Sequence, residues 1–383
     1  MQERGRFEHE LLVLEPLSEH ETPEAEWPPK ALKGTVLFRH WRINSADATK
    51  PFVLRAADLD PGFAAGPEAK VSCLKKWTES TVATAKRAKV AYVDLRTATP
   101  KFTSLNAAGA TNITSTSKIG VMYPAFQLRH DVQAIANRDK PADIAALKEA
   151  ALKQWATDLV DAGWFFRSAT GIAAARKWVV ANGPKIGNIV TMDSGTREVK
   201  FVCDFNDALT SMIVDSNNAS RTTCINLLSE AYITSVLAQS GKIAGFKPLV
   251  WTATMESLAT VMTLIARRRL VALQESEDMF DLLKRAATSG SRTWTRYALK
   301  GHDDSSDSSL KRTFSSVAGK IGYLHRGKDD TWWDNISTMS DASIVQKTIS
   351  RAYVLVFAIP VAKDTVHQKD IFPLIRALHD CIV

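Results

Sequence analysis

The spacing of apolar residues along the chain predicts mostly helices. The clearest case runs from Pro141 to Gly163, where apolar residues recur at intervals of three and four. A proline in the first turn and a glycine after the last turn mark its ends. Similar spacing predicts further helices over residues 68–93, 169–181, 220–240, 252–286, 291–299, 342–359 and 371–381.

Alternating and β-branched patterns predict only short strands, at residues 34–42, 51–55 and 121–128. Segments 186–192 and 198–205 flank the turn sequence DSGT at 193–196 and are predicted to form a β-hairpin. Residues 97–120 are rich in Thr, Ser, Ala, Asn and Gly, which is typical of a long exposed loop that carries binding or assembly contacts. The predicted fold class is therefore mainly α with a few short strands or hairpins.

The length of 383 residues exceeds one typical domain, so two helical lobes are expected. Residues 1–30 hold a short apolar run among glutamates, followed by prolines, and are predicted to form an extended acidic arm. The predicted organisation is the acidic N-terminal arm at 1–30, an N-terminal lobe at 31–215 and a C-terminal helical lobe at 216–383.

The charge of the chain is unevenly distributed. The net charge is +8 and the isoelectric point is about 9.2, yet residues 1–27 contain eight glutamates and two arginines, a balance of −6. Residues 28–383 therefore carry +14. A basic body of this kind attracts polyanions, and an acidic arm can dock on another copy of that body.

Three groups of basic and aromatic residues are candidate RNA-binding sites. Lys75 and Lys86 are eleven residues apart, just over three helical turns, so they would lie in line along one helix. Arg268 falls on the apolar face of the 252–286 helix, where a charge needs a carboxylate, a carbonyl or a bound polyanion. Cations and flat rings together can bind single-stranded nucleic acid. The full candidate set is Lys75, Lys76, Lys86, Arg87, Lys89, Arg267, Arg268, Arg292, Trp294, Arg296, Tyr297 and Lys300.

The sequence matches known catalytic motifs only weakly. Residues 189–196 resemble one half of an aspartic protease site, but the second aspartate motif that this chemistry needs does not occur. Residues 322–329 have the glycine and lysine spacing of a phosphate-binding loop, but Asp329 replaces the required Ser or Thr. Histidines occur singly and the four cysteines are scattered, which predicts reduced thiols and no metal site. The expectation is a non-enzyme that needs no cofactor.

The N-terminal sequence lacks a basic leader followed by an apolar core, so we expect an intracellular protein. The longest apolar run, 352–362, is about half of what a bilayer needs. It is predicted to be a buried core helix, and no membrane partner is expected.

In general character the chain resembles the nucleoproteins of negative-strand RNA viruses. The shared features are its size, its basic body, its acidic arm and its long polar loop. The resemblance implies a homo-oligomer joined through N-terminal arms that encapsidates genomic RNA without sequence preference, in the virion and the host cytoplasm.

Three alternatives remain open at this point. One is the coat protein of another RNA virus, either a filamentous plant virus or a small double-stranded RNA virus with an isometric shell. Another is an enzyme whose site is assembled from distant residues, with Arg268, His325 and an aspartate as candidates. The last is a non-viral scaffold whose basic faces bind acidic proteins.

Overall fold

A computed structural model describes residues 59–65, 74–77, 79–80, 83–161, 164–238, 242–288, 293–300, 311–325, 336–348, 351–361 and 367–381. The predicted arm at 1–30 and the predicted strands at 34–42 and 51–55 lie outside these residues.

The strands, in chain order, are β1 (Ala64–Ala65), β2 (Lys89–Asp94), β3 (Lys101–Leu105), β4 (Thr111–Asn112), β5 (Val190–Met192), β6 (Val199–Phe201), β7 (Thr252–Ala253), β8 (Ser316–His325), β9 (Ile336–Thr348) and β10 (Arg351–Pro360). The helices are α1 (Ala83–Lys86), α2 (Ile119–Asp139), α3 (Ile144–Asp161), α4 (Ala169–Asn182), α5 (Ile186–Ile189), α6 (Cys203–Val214), α7 (Asn218–Leu228), α8 (Glu230–Leu237), α9 (Met255–Ala266), α10 (Leu273–Thr288), α11 (Trp294–Lys300) and α12 (Phe372–Asp380). Thr114–Lys118 and Pro248–Val250 are 3₁₀-helices, His367–Ile371 is a π-helical turn, and residues 74–77 are also helical.

A six-stranded sheet with the order β1-β3-β2-β10-β9-β8 divides the described residues into two layers. Its pairs are antiparallel except β1 with β3. In β10, residues 353–359 are all buried, so both faces of the strand are covered. Alternate side chains point to opposite faces. Val354 and Val356 join the larger apolar cluster with α2 to α10, whereas Leu355 and Phe357 join a second cluster with α11 and α12.

The helix α2 runs through the larger layer and is buried over most of its length. The described residues also form two small sheets, β4 with β7 and β5 with β6, and β6 contacts α2. The strand β8 forms one end of the main sheet, and the 3₁₀-helix Thr114–Lys118 contacts it immediately before α2 begins. This contact positions the candidate site described below.

Several predicted elements are confirmed. The helices predicted at 141–163 and 169–181 are α3 and α4. The hairpin is formed by β5 and β6, and in its turn the Asp193 carboxylate accepts the N–H groups of Gly195 and Thr196 at 2.9 and 2.7 Å. The helices predicted at 220–240 and 252–286 are each interrupted. Ser229 and Arg268, with φ of 70° and 58°, lie at these breaks.

Other predictions are wrong because periodicity alone cannot separate a buried strand from a buried helix. The predicted helix at 342–359 is the strand pair β9 and β10. The predicted strand at 121–128 lies inside α2, and the predicted loop at 97–120 contains β3, β4 and a 3₁₀-helix. Helices are abundant, as predicted, but the prediction of only a few short strands is incorrect because a large, mostly antiparallel sheet forms the centre.

The sheet takes strands from both sides of residue 215, and the division into lobes at that position stays a prediction. Within the described residues, the helices are too short or too polar to span a bilayer. Cys203 and Cys224 are free, but Cys381 is disulfide-bonded, so the prediction of reduced thiols is wrong for Cys381.

Candidate active site

A serine and a lysine meet in the 3₁₀-helix that precedes α2. This helix has about three residues per turn, so side chains three positions apart lie on the same side. Ser115 and Lys118 have this spacing, and the Nζ atom of Lys118 lies 3.2 Å from the Oγ atom of Ser115. Lys118 is fully buried, whereas Ser115 is partly exposed. The serine hydroxyl is therefore accessible while the lysine is shielded from water.

A second serine reaches the same lysine from the junction of α6 and α7. The Nζ atom of Lys118 lies 3.2 Å from the Oγ atom of Ser216 and also donates to the Ser216 carbonyl oxygen. Ser216 has a left-handed backbone, with φ of 60°. The next residue, Asn217, caps α7 by accepting the Ser220 N–H at 3.0 Å, which fixes the turn.

The third part of the site is on β8. Lys320 and Gly322 are two residues apart in a strand, so they face the same side of the sheet. Lys320 is fully buried, and its carbonyl oxygen accepts the Thr116 hydroxyl at 3.3 Å. A Cβ atom on Gly322 would lie 2.2 Å from Thr114 Oγ1 and 2.6 Å from the Ile113 carbonyl oxygen. Glycine is therefore required for β8 to approach Thr114–Lys118, the 3₁₀-helix that carries Ser115 and is called the serine turn.

A buried hydroxyl on β9 holds the backbone of the serine turn. The Ser340 hydroxyl donates to the Ile113 carbonyl oxygen at 2.6 Å, and its Oγ lies 2.8 Å from Thr116 Oγ1. Thr114 has φ of 46° and donates its N–H to the Asn112 side chain at 2.8 Å. These bonds fix the orientation of Ser115 before substrate arrives.

Burial and neighbouring cations favour neutral lysines in the site. Burial, and then the charge of Arg221, lower the pKa of Lys118 to about 8. Burial and the charge of Lys118 hold the pKa of Lys320 well below its ordinary value, against the opposing effect of Asp215 and Asp341. A neutral amine can accept a proton, so Lys118 can act as a base toward Ser115.

Pro248–Trp251 and the strand β7 that follows form the wall of the site beside the serine turn. The N–H of Ile113 donates to the Trp251 carbonyl oxygen at 2.8 Å, and β4 pairs with β7. Residues 231–255 contain no Asp or Glu, so this wall supplies no carboxylate. The described part of the chain also holds no cluster of three or more His, Cys, Asp or Glu suited to a metal ion.

The predicted RNA-binding residues lie on other elements. Lys75, Lys76, Lys86, Arg87 and Lys300 are exposed, and Arg292 lies outside the described residues. Lys89 donates to the carbonyl oxygens of Gly109 and Ala110 at 2.8 and 3.0 Å. Arg267 donates to the carbonyl oxygens of Leu95 and Thr97. Lys89 and Arg267 thus make contacts within the protein.

The remaining predicted residues also contact the protein itself. Arg268 lies over the Phe280 ring at 4.4 Å, donates to the Ile265 carbonyl oxygen at 3.1 Å and has its Nε atom 3.8 Å from a carboxylate oxygen of Glu277, so its partners are all within the protein. Trp294 is fully buried and its indole donates to the Gly322 carbonyl oxygen at 3.4 Å. Arg296 donates to the Ala287 carbonyl oxygen at 2.6 Å. Tyr297 is partly buried, with its ring 6.2 Å from that of Trp294.

The sequence prediction missed the residues that do converge. Ser115-Thr-Ser-Lys118 has the pattern S-x-x-K, Ser216-Asn-Asn218 has S-x-N, and Lys320-Ile-Gly322 has K-x-G. The combination of S-x-x-K, S-D-N and K-T-G occurs in class A β-lactamases and penicillin-binding proteins. Asn217 and Ile321 depart from that combination at its middle positions. Each pattern is too short to be specific alone, but the order of the three along the chain was a usable signal.

No protein-family model and no curated protein matches the chain. The chain is similar to the solved structure of PBP-A, with a TM-score of 0.47 and 11% identity over 83% of this chain and 97% of that one. It is also similar to a β-lactamase from Sphaerobacter thermophilus, with a TM-score of 0.46 and 13% identity over 83% and 98% of the two chains. For the TLA-3 extended-spectrum β-lactamase the TM-score is 0.47, with 12% identity over 82% and 97%.

The prediction of a viral nucleoprotein or coat protein is wrong, because the similar solved structures are a penicillin-binding protein and β-lactamases. The predicted RNA partner, the arm-linked homo-oligomer and the location in a virion and host cytoplasm are wrong with it. The excess of positive charge misled the prediction, since Lys89, Arg267 and Arg268 serve internal contacts.

The prediction of a non-enzyme is also wrong. The alternative of an enzyme whose site is assembled from distant residues agrees better with the similar solved structures. The residues suggested for that site differ from the serines and lysines described above. Arg268 lies after α9, and the side chain of His325 lies outside the described residues.

Proposed function

We propose that the chain is a serine enzyme that forms a covalent acyl-enzyme with an amide or ester substrate, including β-lactams. One observation carries this proposal: the Lys118 amine lies 3.2 Å from the hydroxyl oxygens of both Ser115 and Ser216. Acyl transfer needs a nucleophile, a base with a lowered pKa and a second hydroxyl within reach of that base.

In the acylation step, Ser115 Oγ attacks the carbonyl carbon while the neutral amine of Lys118 accepts the hydroxyl proton. The bond from that carbon to the leaving nitrogen or oxygen then breaks, and the leaving atom receives a proton from the Ser216 hydroxyl. Ser216 regains its proton from the Lys118 ammonium, to which its Oγ is already close. Ser115 ends as an ester, and the base returns to its neutral form.

Charge on the carbonyl oxygen develops beside the first turn of a helical run from Thr114 to Asp139. N–H groups in a first turn have no acceptor inside the helix, and the helix dipole favours negative charge there. The N–H of Ser115 is in that turn and is suited to stabilise the oxyanion.

β-Lactams are the first substrate class to test, because the three motifs occur together in β-lactamases and penicillin-binding proteins. In class A β-lactamases a glutamate activates the water that removes the acyl group. The wall beside the serine turn has no carboxylate in residues 231–255. We therefore infer that no carboxylate of this wall activates water for deacylation.

The test is covalent labelling of the purified protein with two probes, a fluorescent penicillin and a fluorophosphonate, read by intact mass spectrometry. Ser115→Ala is compared with Ser104→Ala, which removes the hydroxyl of an exposed serine on β3. We expect one adduct per chain on the wild type and on Ser104→Ala, and none on Ser115→Ala.

The two probes separate reaction type from substrate class. Labelling by the fluorophosphonate alone would support the proposal of a serine enzyme and reject β-lactams as its substrates. If neither probe labels Ser115 between pH 6 and pH 10, the proposed function is incorrect.

A further inference from the structure

Arg221 is a buried cation close to the site that has no part in the acylation step above. It lies on α7, only 8% exposed. Its guanidinium donates to the Pro248 carbonyl oxygen at 2.7 Å and its Cζ atom lies 3.8 Å from the centre of the Trp251 ring. Such a stacked and hydrogen-bonded guanidinium has one fixed position.

The two partners of Arg221 contact residues on either side of the serine turn. The Trp251 carbonyl oxygen accepts the Ile113 N–H, one residue before the turn begins. A Cβ atom on Gly120 would lie 2.9 Å from Pro248, so α2 packs directly on the same segment. Arg221 therefore fixes the position of the Pro248–Trp251 wall, and the start of α2 packs against this wall.

Arg221 also lies near the base through α7. Ser216 and Asn217 lead into that helix, and Lys118 contacts Ser216. The charged groups around Lys118 are Arg221 from α7 and Lys320 from β8, with Asp215 acting on Lys320. After burial, the charge of Arg221 is the next cause of the lowered pKa of Lys118.

We propose that Arg221 is a positioning residue for acylation, which holds the Pro248–Trp251 wall against the serine turn and places a permanent positive charge beside the helix that carries Ser216 to Lys118. Arginine suits this role because it stays charged at every pH at which the enzyme works. The proposal rests on the proposed function, in which Lys118 must be neutral to accept a proton.

The test compares Arg221→Gln, which removes the charge, with Arg221→Lys, which keeps a charge, and with Arg87→Gln at an exposed position. The rate of Ser115 labelling by the fluorophosphonate is measured from pH 6 to pH 10. For Arg221→Gln we expect the midpoint of the profile to move to higher pH. Each pH unit of this shift lowers the rate at pH 7 about tenfold, because the neutral fraction of Lys118 falls by that factor.

Arg221→Lys is expected to keep a midpoint near that of the wild type, with a lower plateau because the stacking on Trp251 is lost. Arg87→Gln should leave the whole profile unchanged. A merely structural role for Arg221 would lower the plateau in both Arg221 variants and leave both midpoints in place, and that result would overturn the proposal.

A second measurement does not depend on labelling. The lysine side-chain signals of isotopically labelled protein are titrated by NMR, with Lys118→Met to assign the Lys118 signal. We expect its titration to move to higher pH in Arg221→Gln. If the probes do not label Ser115 of the wild type but the Lys118 titration still shifts in Arg221→Gln, the proposed function is rejected and the electrostatic coupling is retained. If the titration does not shift, the coupling is rejected.

Discussion

The Nζ atom of Lys118 lies 3.2 Å from the Oγ atom of Ser216, although the two residues are 98 positions apart in the sequence. The same nitrogen lies 3.2 Å from Ser115 Oγ. A single amine can therefore receive a proton from one hydroxyl and return it through the other, which is the proton movement that acylation and leaving-group departure require.

Replacing the base should slow acylation while leaving the fold intact. Lys118→Met keeps an apolar stem of similar length in a fully buried position. We expect labelling of Ser115 to slow by about 10²- to 10⁴-fold, the usual contribution of a positioned base. The rate is measured with the fluorophosphonate, and the exposed Lys148→Met serves as the control. An unchanged rate in a folded Lys118→Met protein would remove Lys118 from the mechanism.

The labelling rate should depend on pH through Lys118. Because its pKa is lowered to about 8, the amine is mostly protonated at pH 6 and mostly neutral at pH 10. Only the neutral form accepts the Ser115 proton, so the rate should rise with pH, with a midpoint near pH 8. Stopped-flow fluorescence across this range gives the profile, and a rate that falls as pH rises would contradict the assignment.

Gly322 should tolerate no side chain. The Cβ atom of Gly322→Ala would approach the Ile113 carbonyl oxygen to 2.6 Å, so either β8 or the serine turn must move. We expect a loss of about 1–3 kcal/mol in stability, typical of overpacking, together with slower labelling of Ser115. Gly187→Ala is the matched control, because its added Cβ meets no atom within 4 Å outside its own helical turn. Equal melting temperatures for the two variants would show that the approach of β8 is not tight.

His379 should make the protein sensitive to acid. Its Nε2 lies 3.1 Å from the Thr313 carbonyl oxygen and must donate, so Nδ1 accepts the Tyr353 hydroxyl at 3.0 Å. Burial, followed by the charge of Lys347, lowers the pKa of His379 to about 4 from 6.5. The unfolded chain binds the proton more readily, so this stability is present above about pH 6.5 and is lost as pH falls toward 4.

The expected result is a melting temperature that falls between pH 6.5 and pH 4 in the wild type and falls less in His379→Gln. The glutamine can still donate to Thr313 and accept from Tyr353, but it does not titrate. Differential scanning calorimetry at half-unit pH intervals measures the difference. Parallel curves for the two proteins would show that His379 does not control acid unfolding.

The sequence by itself determined the elements whose signals are local. Helix α3 follows from apolar spacing together with a proline at its start and a glycine after its end, and the β5–β6 hairpin follows from the residues of its turn. Interactions within a few residues are sufficient for such elements, so their patterns are readable without a partner.

Tertiary structure decided the central sheet and the site. The apolar run at 353–359 is compatible with a buried helix or a buried strand, and it becomes β10 because β2 and β9 pair with its two edges. Ser115 lies in a segment whose polar composition predicts an exposed loop, yet contacts from Ser340 and Gly322 make it a rigid turn. Lys118, Ser216 and Lys320 are separated by about a hundred residues at each step, so only the packing of α7 and β8 around the start of α2 brings them together. No local sequence pattern specifies that these side chains lie together, because the free energy that stabilises their arrangement comes from burial of the whole apolar core.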